Sequence, residues 1–272
     1  MFRISCFADE ISKDLDVQIQ IMKELGIKYL ELRTIWEKNV LQLTLAETKK
    51  LKGILDENGL KVSSVGSPIG KVDLDFDFEE HLLSLCKAIA IAKILETKYI
   101  RIFSFYLNGR EIDACREKVI RKLSVMAGIA AQNGIVLLME NEADIYGEAS
   151  PHCQELYEAI HHPCLRGVID PSNYVVAGEE PFESLKRVHR YIEYVHIKDS
   201  IKGTGEIVVA GTGDGQMQQV LDFLRYHEDM FVSLEPHLAE AGVSKGFSGE
   251  ELFRQDHAAL TALLARLNIA YE

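Results

Sequence analysis

Cysteine is scarce in this 272-residue chain, and none of it is paired by spacing: Cys6, Cys86, Cys115, Cys153 and Cys164 are scattered, odd in number and contain no Cys-x-x-Cys. That argues against a disulfide framework and fits a reduced, cytoplasmic protein. Long apolar runs are missing as well. No uninterrupted stretch reaches bilayer length, and the apolar start after Arg3 is broken at Asp9 and Glu10, so neither a membrane span nor a secretory leader is expected. Positive charge is in deficit: the net charge is −12 and the pI about 5.3, which disfavours a protein that neutralises phosphates along a nucleic acid. A small diffusible substrate is the better expectation. There is no Gly-x-Ser-x-Gly elbow. Gly211-Thr212-Gly213-Asp214-Gly215 looks superficially like a phosphate loop but lacks the Gly-Lys-Ser/Thr ending. It reads as a turn with Asp214 capping the next helix, its backbone amides still available to an anion.

What is present is enough apolar residue, 47%, for a substantial core, with no Ser/Gly/Pro-rich linker or low-complexity segment to divide residues 1–272 into more than one domain. β-rich runs alternate with helical patterns from end to end, the signature of parallel strands with crossover helices. Eight strands are expected: Arg3 to Phe7, Tyr29 to Arg33, Val62 to Gly66, Ile100 to Phe105, Ile135 to Glu140, Gly167 to Asp170, Tyr194 to Lys198 and Phe231 to Glu235. Eight closes a (β/α)8 TIM barrel of the α/β class. Thr44 with Glu47 and Ser248 with Glu251 read as capping boxes, and Ser150-Pro151 as a helix start. Gly26, Gly59 and Gly134 sit where left-handed helix caps are needed. The longest loops follow the strands ending at Gly66, Lys198 and Glu235, on the face where barrel enzymes keep their sites; His161 and His162 fall on the opposite face as surface residues.

Four potential metal ligands, Glu140, Asp170, His196 and Glu235, each stand where a short apolar run ends. An isolated glutamate in that position reads as a solvated charge at the start of a loop, and an Asp before Pro171 as a turn residue. Recurrence at the mouths of successive strands is what makes a shared cation the better reading, since carboxyl ends of parallel barrel strands open on one face. Three oxygen ligands and one imidazole suit a divalent metal, with Mn, Mg, Co and Zn all acceptable. Strand alternation puts His196 and Lys198 on the same, inward face. A buried Lys198 needs an anionic partner, which a carboxylate-rich site supplies. His237, after Pro236, reads equally as a contact to substrate or metal and as a solvated histidine at the rim.

Segments Phe7-Ala8-Asp9-Glu10-Ile11-Ser12, Gly66-Ser67-Pro68-Ile69-Gly70-Lys71, Arg101-Ile102-Phe103-Ser104-Phe105-Tyr106, Glu140-Asn141-Glu142, Tyr194-Val195-His196-Ile197-Lys198-Asp199 and Ser233-Leu234-Glu235-Pro236-His237 resemble the xylose isomerase-like barrel superfamily of sugar phosphate isomerases and epimerases, over essentially the whole chain. The resemblance implies that Glu140, Asp170, His196 and Glu235 hold one divalent metal and that Glu140 and Glu235 also move protons. It implies substrate contacts from Ser67, Asn141, Asn173, Lys198, Lys202 and His237. Three positions depart from the keto-sugar epimerase pattern: Asn173 replaces a histidine, Lys202 stands where arginine is common, and Tyr146 replaces a glutamate behind the first metal ligand.

The expected chemistry is proton transfer beside the carbonyl of a keto-sugar or related α-hydroxy carbonyl compound, phosphorylated or not, through a metal-stabilised enediolate. Lys198 or Lys202 would neutralise charge on the developing oxyanion. A dehydratase of a keto-polyol, of the keto-inositol or dehydroshikimate type, is the nearest alternative, since the same enolate can expel a β-hydroxyl. A non-catalytic sugar-binding barrel is a third reading, suggested by Asn173 and Tyr146. An abasic-site endonuclease with three zinc ions is disfavoured: Phe7, Arg33 and Phe103 stand where further ligands would be needed, and the chain is acidic. A homo-oligomer is compatible with all of these.

Overall fold

A computed structural model describes residues 1–227, 229–238 and 247–272. Its centre is a closed barrel of eight parallel strands, β1 (Arg3–Cys6), β2 (Tyr29–Leu32), β3 (Lys61–Gly66), β4 (Tyr99–Ile102), β5 (Val136–Glu140), β6 (Leu165–Ile169), β7 (Ile192–Ile197) and β8 (Phe231–Leu234). Each strand pairs with its neighbours in sequence, and β1 closes on β8 in the register Arg3 with Phe231 through Cys6 with Leu234. This is the (β/α)8 TIM barrel expected from the alternation. The strand ends differ from expectation by one to three residues, chiefly because Arg33, Phe103 to Phe105, Asp170 and Lys198 lie just past the strands at the mouth, where Phe7 and Glu235 each add one more backbone bond, to Leu234 O and Ile197 O at 3.0 Å.

Helices α1 (Leu15–Leu25), α2 (Leu45–Glu57), α3 (Phe78–Ile94), α4 (Ile112–Gln132), α5 (Ser150–Ile160), α6 (Pro171–Val176), α7 (Pro181–Val188), α8 (Met217–Leu224) and α9 (Glu250–Arg266) connect the strands and cover the barrel. Their starts are written locally. Asp14 accepts a bond from Asp16 N at 2.8 Å, Asp77 accepts from Glu80 N at 3.0 Å, and Thr44 and Glu47 form the reciprocal capping box; each such cap is worth about 1 kcal/mol. Ser248 and Glu251 do not form one. Helix α9 starts after Gly249, and Ser248 Oγ instead donates to Glu10 Oε2 at 2.9 Å. Gly26, Gly59 and Gly134 take the expected left-handed turn, with φ of 72°, 71° and 70°. His161 is exposed and His162 partly so, in the α5-to-β6 connection. None of the described helices is long and apolar enough to cross a membrane.

The main apolar core lies between strands and helices, with Ile4, Leu30, Ile100, Leu137, Ile169, Val195 and Val232 facing outward into it. Inside the barrel the alternate residues change character with height. At the closed end Tyr99, Leu138, Val168, Tyr194 and Phe231 form a separate apolar plug. One pleat higher stand Ser5, Glu31, Arg101, Glu140, His196 and Ser233, all buried, and at the mouth Asp170, Lys198 and Glu235. Period-two alternation therefore delivers charge to the lumen as well as to the rim.

The rim beside β3 and β4 is laced by backbone bonds. Phe103 N donates to Ile69 O (2.8 Å), Phe105 N to Gly70 O (3.1 Å) and Tyr106 N to Val72 O (2.9 Å). Gly70, at φ 90°, is required there: a Cβ would lie 2.0 Å from Phe103 O. The two loops thus form a fixed wall at the mouth. The long loop following Glu235 lies partly outside the described residues.

Candidate metal centre

The ends of β5, β6, β7 and β8 bring Glu140, Asp170, His196 and Glu235 together, one ligand atom from each within 4.8 Å of the others. All four are buried, none more than 3% exposed. His196 Nδ1 lies 3.2 Å from both Glu140 Oε1 and Glu235 Oε2, midway between the two glutamates. Asp170 caps α6 through one oxygen, accepting from Asn173 N at 3.0 Å, and turns the other toward Lys198 Nζ at 2.6 Å. Pro171 makes this possible: it ends the strand and supplies the first residue of α6.

Electrostatics show what the cluster is short of. Burial pushes the Glu140 carboxyl up, but His196 and Arg101 outweigh it and hold it at about 2. Burial of Glu235 is likewise outweighed, by Lys198 and His196, and its carboxyl lies well below the usual range. Asp170 goes the other way: burial pushes it up to about 6, against the attraction of Lys198. Burial lowers the His196 pKa, but Glu140, Glu31 and Glu235 together raise it well above its ordinary value. The surrounding carboxylates therefore favour the protonated form of the ring. Glu140 Oε2, Asp170 Oδ2 and Glu235 Oε2 accept no aligned hydrogen bond in this arrangement. Each of these oxygens faces a cationic side chain instead, Arg101 at 3.2 Å, Lys198 at 2.6 Å and His196 at 3.2 Å, and three carboxylates that each offer an oxygen within 4.8 Å of the imidazole nitrogen are a donor set that fits a divalent cation.

The remaining candidates divide. Lys198 reaches the centre, 3.7 Å from Glu235 Oε2 in addition to its pair with Asp170. Asn173 Nδ2 donates to Asn141 O at 2.8 Å and lies 3.5 Å from Glu140 Oε1. His237 stands at the rim, its Nε2 3.1 Å from Glu10 Oε1 and 3.5 Å from Glu235 Oε1; burial lowers its pKa, but those two partners raise it to about 9. Asn141 does not present its amide to the centre. It clamps the backbone of Asp170 from both sides, accepting from Asp170 N and donating to Asp170 O at 2.9 Å each. Ser67 Oγ is spent on Arg101 O at 2.6 Å. Lys202 is not brought in: half exposed, it pairs with Glu180 at 2.5 Å. Tyr146, buried, donates to Glu155 at 2.6 Å, away from the ligands.

Several residues at the centre were not anticipated. Arg101 Nη1 is 3.2 Å from Glu140 Oε2 and 3.9 Å from Glu235 Oε1, and Glu31 Oε2 is 3.2 Å from His196 Nε2. Arg33 bridges Asp9 (2.9 Å) and Glu235 (3.2 Å). Phe7 and Phe103 separate the cations as stacking surfaces: Arg33 and Arg101 lie 4.6 and 5.3 Å from the Phe7 ring, and Arg101 and Lys71 lie 4.9 and 4.4 Å from the Phe103 ring. Both rings are fully buried and attract the cations that flank them. The signal was available in the strands: Glu31 in Tyr29-Leu30-Glu31-Leu32 and Arg101 in Ile100-Arg101-Ile102 are single charges between outward apolar residues, which alternation turns into the lumen.

The glycine-rich turn after β7 does bind an anion, and the anion is internal. Asp199 accepts from Ser200 N (2.9 Å) and Gly215 N (2.8 Å) through one oxygen and from Gly211 N (2.8 Å) and Gly213 N (3.0 Å) through the other. A Cβ on Gly213 would lie 2.5 Å from Asp199 Oδ1. Asp214 does not cap α8, whose first turn follows Gln216; its carboxylate instead accepts from Lys202 N at 2.7 Å.

Comparison with known proteins adds four findings. The model of a family described as xylose isomerase-like TIM barrel matches residues 19–263. A 3-dehydroshikimate dehydratase from Bacillus anthracis is 21% identical over 183 residues, 66% of this chain and 65% of that protein, so the match spans just under two thirds of the relative's length. Among solved structures, the IOLI protein with a bound zinc atom superposes with a TM-score of 0.79 at 16% identity, covering 97% of this chain and 99% of that one. D-psicose 3-epimerase from Clostridium cellulolyticum H10, solved with D-tagatose, gives 0.76 at 14% identity over 97% and 99% of the two chains. At these identities the structural likeness speaks for the fold.

Proposed function

The chain belongs to the xylose isomerase-like TIM barrel family, and from that premise we propose that it is a divalent-metal-dependent isomerase or epimerase acting on a keto-sugar or a related α-hydroxy carbonyl compound. The observation that carries this reading is the convergence of Glu140, Asp170, His196 and Glu235, with two glutamates on either side of one imidazole nitrogen.

A cation held by these four residues supplies Lewis-acid stabilisation for negative charge developing on the substrate oxygen. The rest falls to side chains of the chain itself. Glu140 and Glu235 come from strands on opposite sides of His196, so each addresses a different face of a substrate seated at the mouth. One takes the proton from the carbon next to the carbonyl. The other returns a proton to the opposite face in an epimerase, or to the neighbouring carbon in an isomerase. Lys198, kept charged because Asp170 and Glu235 outweigh its burial, places an ammonium beside the oxygen that becomes anionic.

A second reading, a dehydratase of a keto-polyol, is supported by the Bacillus anthracis relative. It begins with the same proton abstraction and ends with departure of a β-hydroxyl as water. One experiment separates the two: incubation of the metal-loaded protein with a panel of ketoses and keto-polyols in heavy water. Deuterium entering the carbon beside the carbonyl without loss of water supports the isomerase or epimerase. An ultraviolet-absorbing enone supports the dehydratase. Neither signal from any compound, with metal bound, would sink both.

A further inference from the structure

Glu31 is a fully buried carboxylate in contact with the centre that the reading above leaves without a task. It points inward from β2, and β1 and β8 separate that strand from β7, so the contact crosses the lumen. Its Oε2 lies 3.2 Å from His196 Nε2, while the other ring nitrogen, Nδ1, is the one 3.2 Å from Glu140 and Glu235. The ring is fully buried and packed against two aromatic rings. The Phe7 ring meets it edge-on at 5.2 Å and 75°, the Tyr194 ring at 5.9 Å and 89°.

We propose that Glu31 is a positioning residue that decides which nitrogen of His196 serves the cation: it accepts the Nε2 proton and thereby leaves the Nδ1 lone pair facing the metal. The proposal rests on the metal-centre reading. A neutral imidazole carries one proton, and whichever nitrogen holds it cannot be a ligand. Without a fixed acceptor at Nε2, the proton is drawn to Nδ1 by the two glutamates, where it obstructs the site. A carboxylate at Nε2 biases it the other way and raises the basicity of the ligating nitrogen. Glu31 Oε1 accepts no aligned hydrogen bond, and the carboxylate acts on Arg101 as well as on the ring. No hydroxyl or amide from another strand is bonded to Nε2 among the described residues.

The test is zinc affinity, measured by competition with a chromophoric chelator, for the wild type, Glu31→Gln and Glu31→Leu, together with nitrogen-15 spectra of histidine-labelled, zinc-loaded wild type. Expected are a protonated Nε2 and a zinc-shifted Nδ1 for His196, and an affinity loss of about 10- to 100-fold in Glu31→Leu. Glu31→Gln keeps an acceptor oxygen but not the charge and should lose less. Zinc on Nε2 in the wild type overturns the proposal whatever the variants do. So do variants that bind zinc within about twofold of the wild type, well inside the expected range. Those outcomes leave the metal centre standing; a wild type that takes up no zinc overturns the centre and this role together.

Discussion

Asp199→Asn should unfasten the loop that follows β7. The carboxylate accepts four backbone bonds of 2.8–3.0 Å, two on each oxygen. Asparagine keeps the shape and one acceptor, but turns the other corner into a donor aimed at two N–H groups. Two charge-assisted bonds are lost and two donors are orphaned, so at ~1.5–3 kcal/mol apiece the cage loses about 3–6 kcal/mol. Global stability will fall by less than that, because the loop can open locally. The direct assay is amide hydrogen exchange at Gly211, Gly213 and Gly215, where protection should drop by on the order of a hundredfold or more. Lys198 is the preceding residue, and its 2.6 Å pair with Asp170 depends on where this loop leaves the strand. Turnover should therefore fall with the protection. Unchanged exchange at the three glycines would refute the view that an internal carboxylate, rather than a bound ligand, organises this turn.

Other expectations follow from the same distances. Arg101→Met removes the cation 3.2 Å from Glu140 and its stacking on Phe7 and Phe103; urea unfolding of the metal-free protein should show a loss of about 3–5 kcal/mol, as for other broken buried pairs. Asp256, buried beside Ala210 N, has its carboxyl pushed up to about 7 by burial, above the 3.8 of a free aspartate. A raised folded-state value means that the stability it contributes is present below about pH 4 and is lost as pH rises through about 7. Asp256→Asn should flatten that slope, matching the wild type in acid and exceeding it by ~2–4 kcal/mol above pH 8 in pH-resolved thermal or urea melts. Lys202→Ala should leave metal affinity and melting temperature unchanged, since its ammonium pairs with the exposed Glu180; a lost metal site in that variant would contradict the geometry.

The barrel was legible because its strands are short apolar runs of fixed spacing, and helix caps such as Thr44-Glu47 are local chemistry. The convergence of Glu140, Asp170, His196 and Glu235 was legible for a related reason: parallel strands expose equivalent ends on one face. Boundaries were less so. Pro236 marks the end of the last strand, just after Glu235, whose N–H still donates to Ile197 O at 3.0 Å, but at Lys198 nothing in the local sequence marks where pairing stops. Partners across the lumen were hidden altogether. Glu31 reaches His196 over 165 positions of sequence, and Ser248 abandons Glu251 for Glu10, 238 positions away. Local patterns state which face a residue occupies; only closure of the barrel states what it meets there. Asn141 and Ser67 show the same limit. Both lie at the mouth, and both are already engaged by backbone atoms of neighbouring strands.

The central claim is that four strand ends form one cation site. Crystals grown with manganese and measured for anomalous scattering test it most directly. The account predicts a single strong peak in each chain, within coordination range of Glu140, Asp170, His196 Nδ1 and Glu235. No peak at that point, or one ligated by other residues while these four keep their mutual contacts, would contradict it.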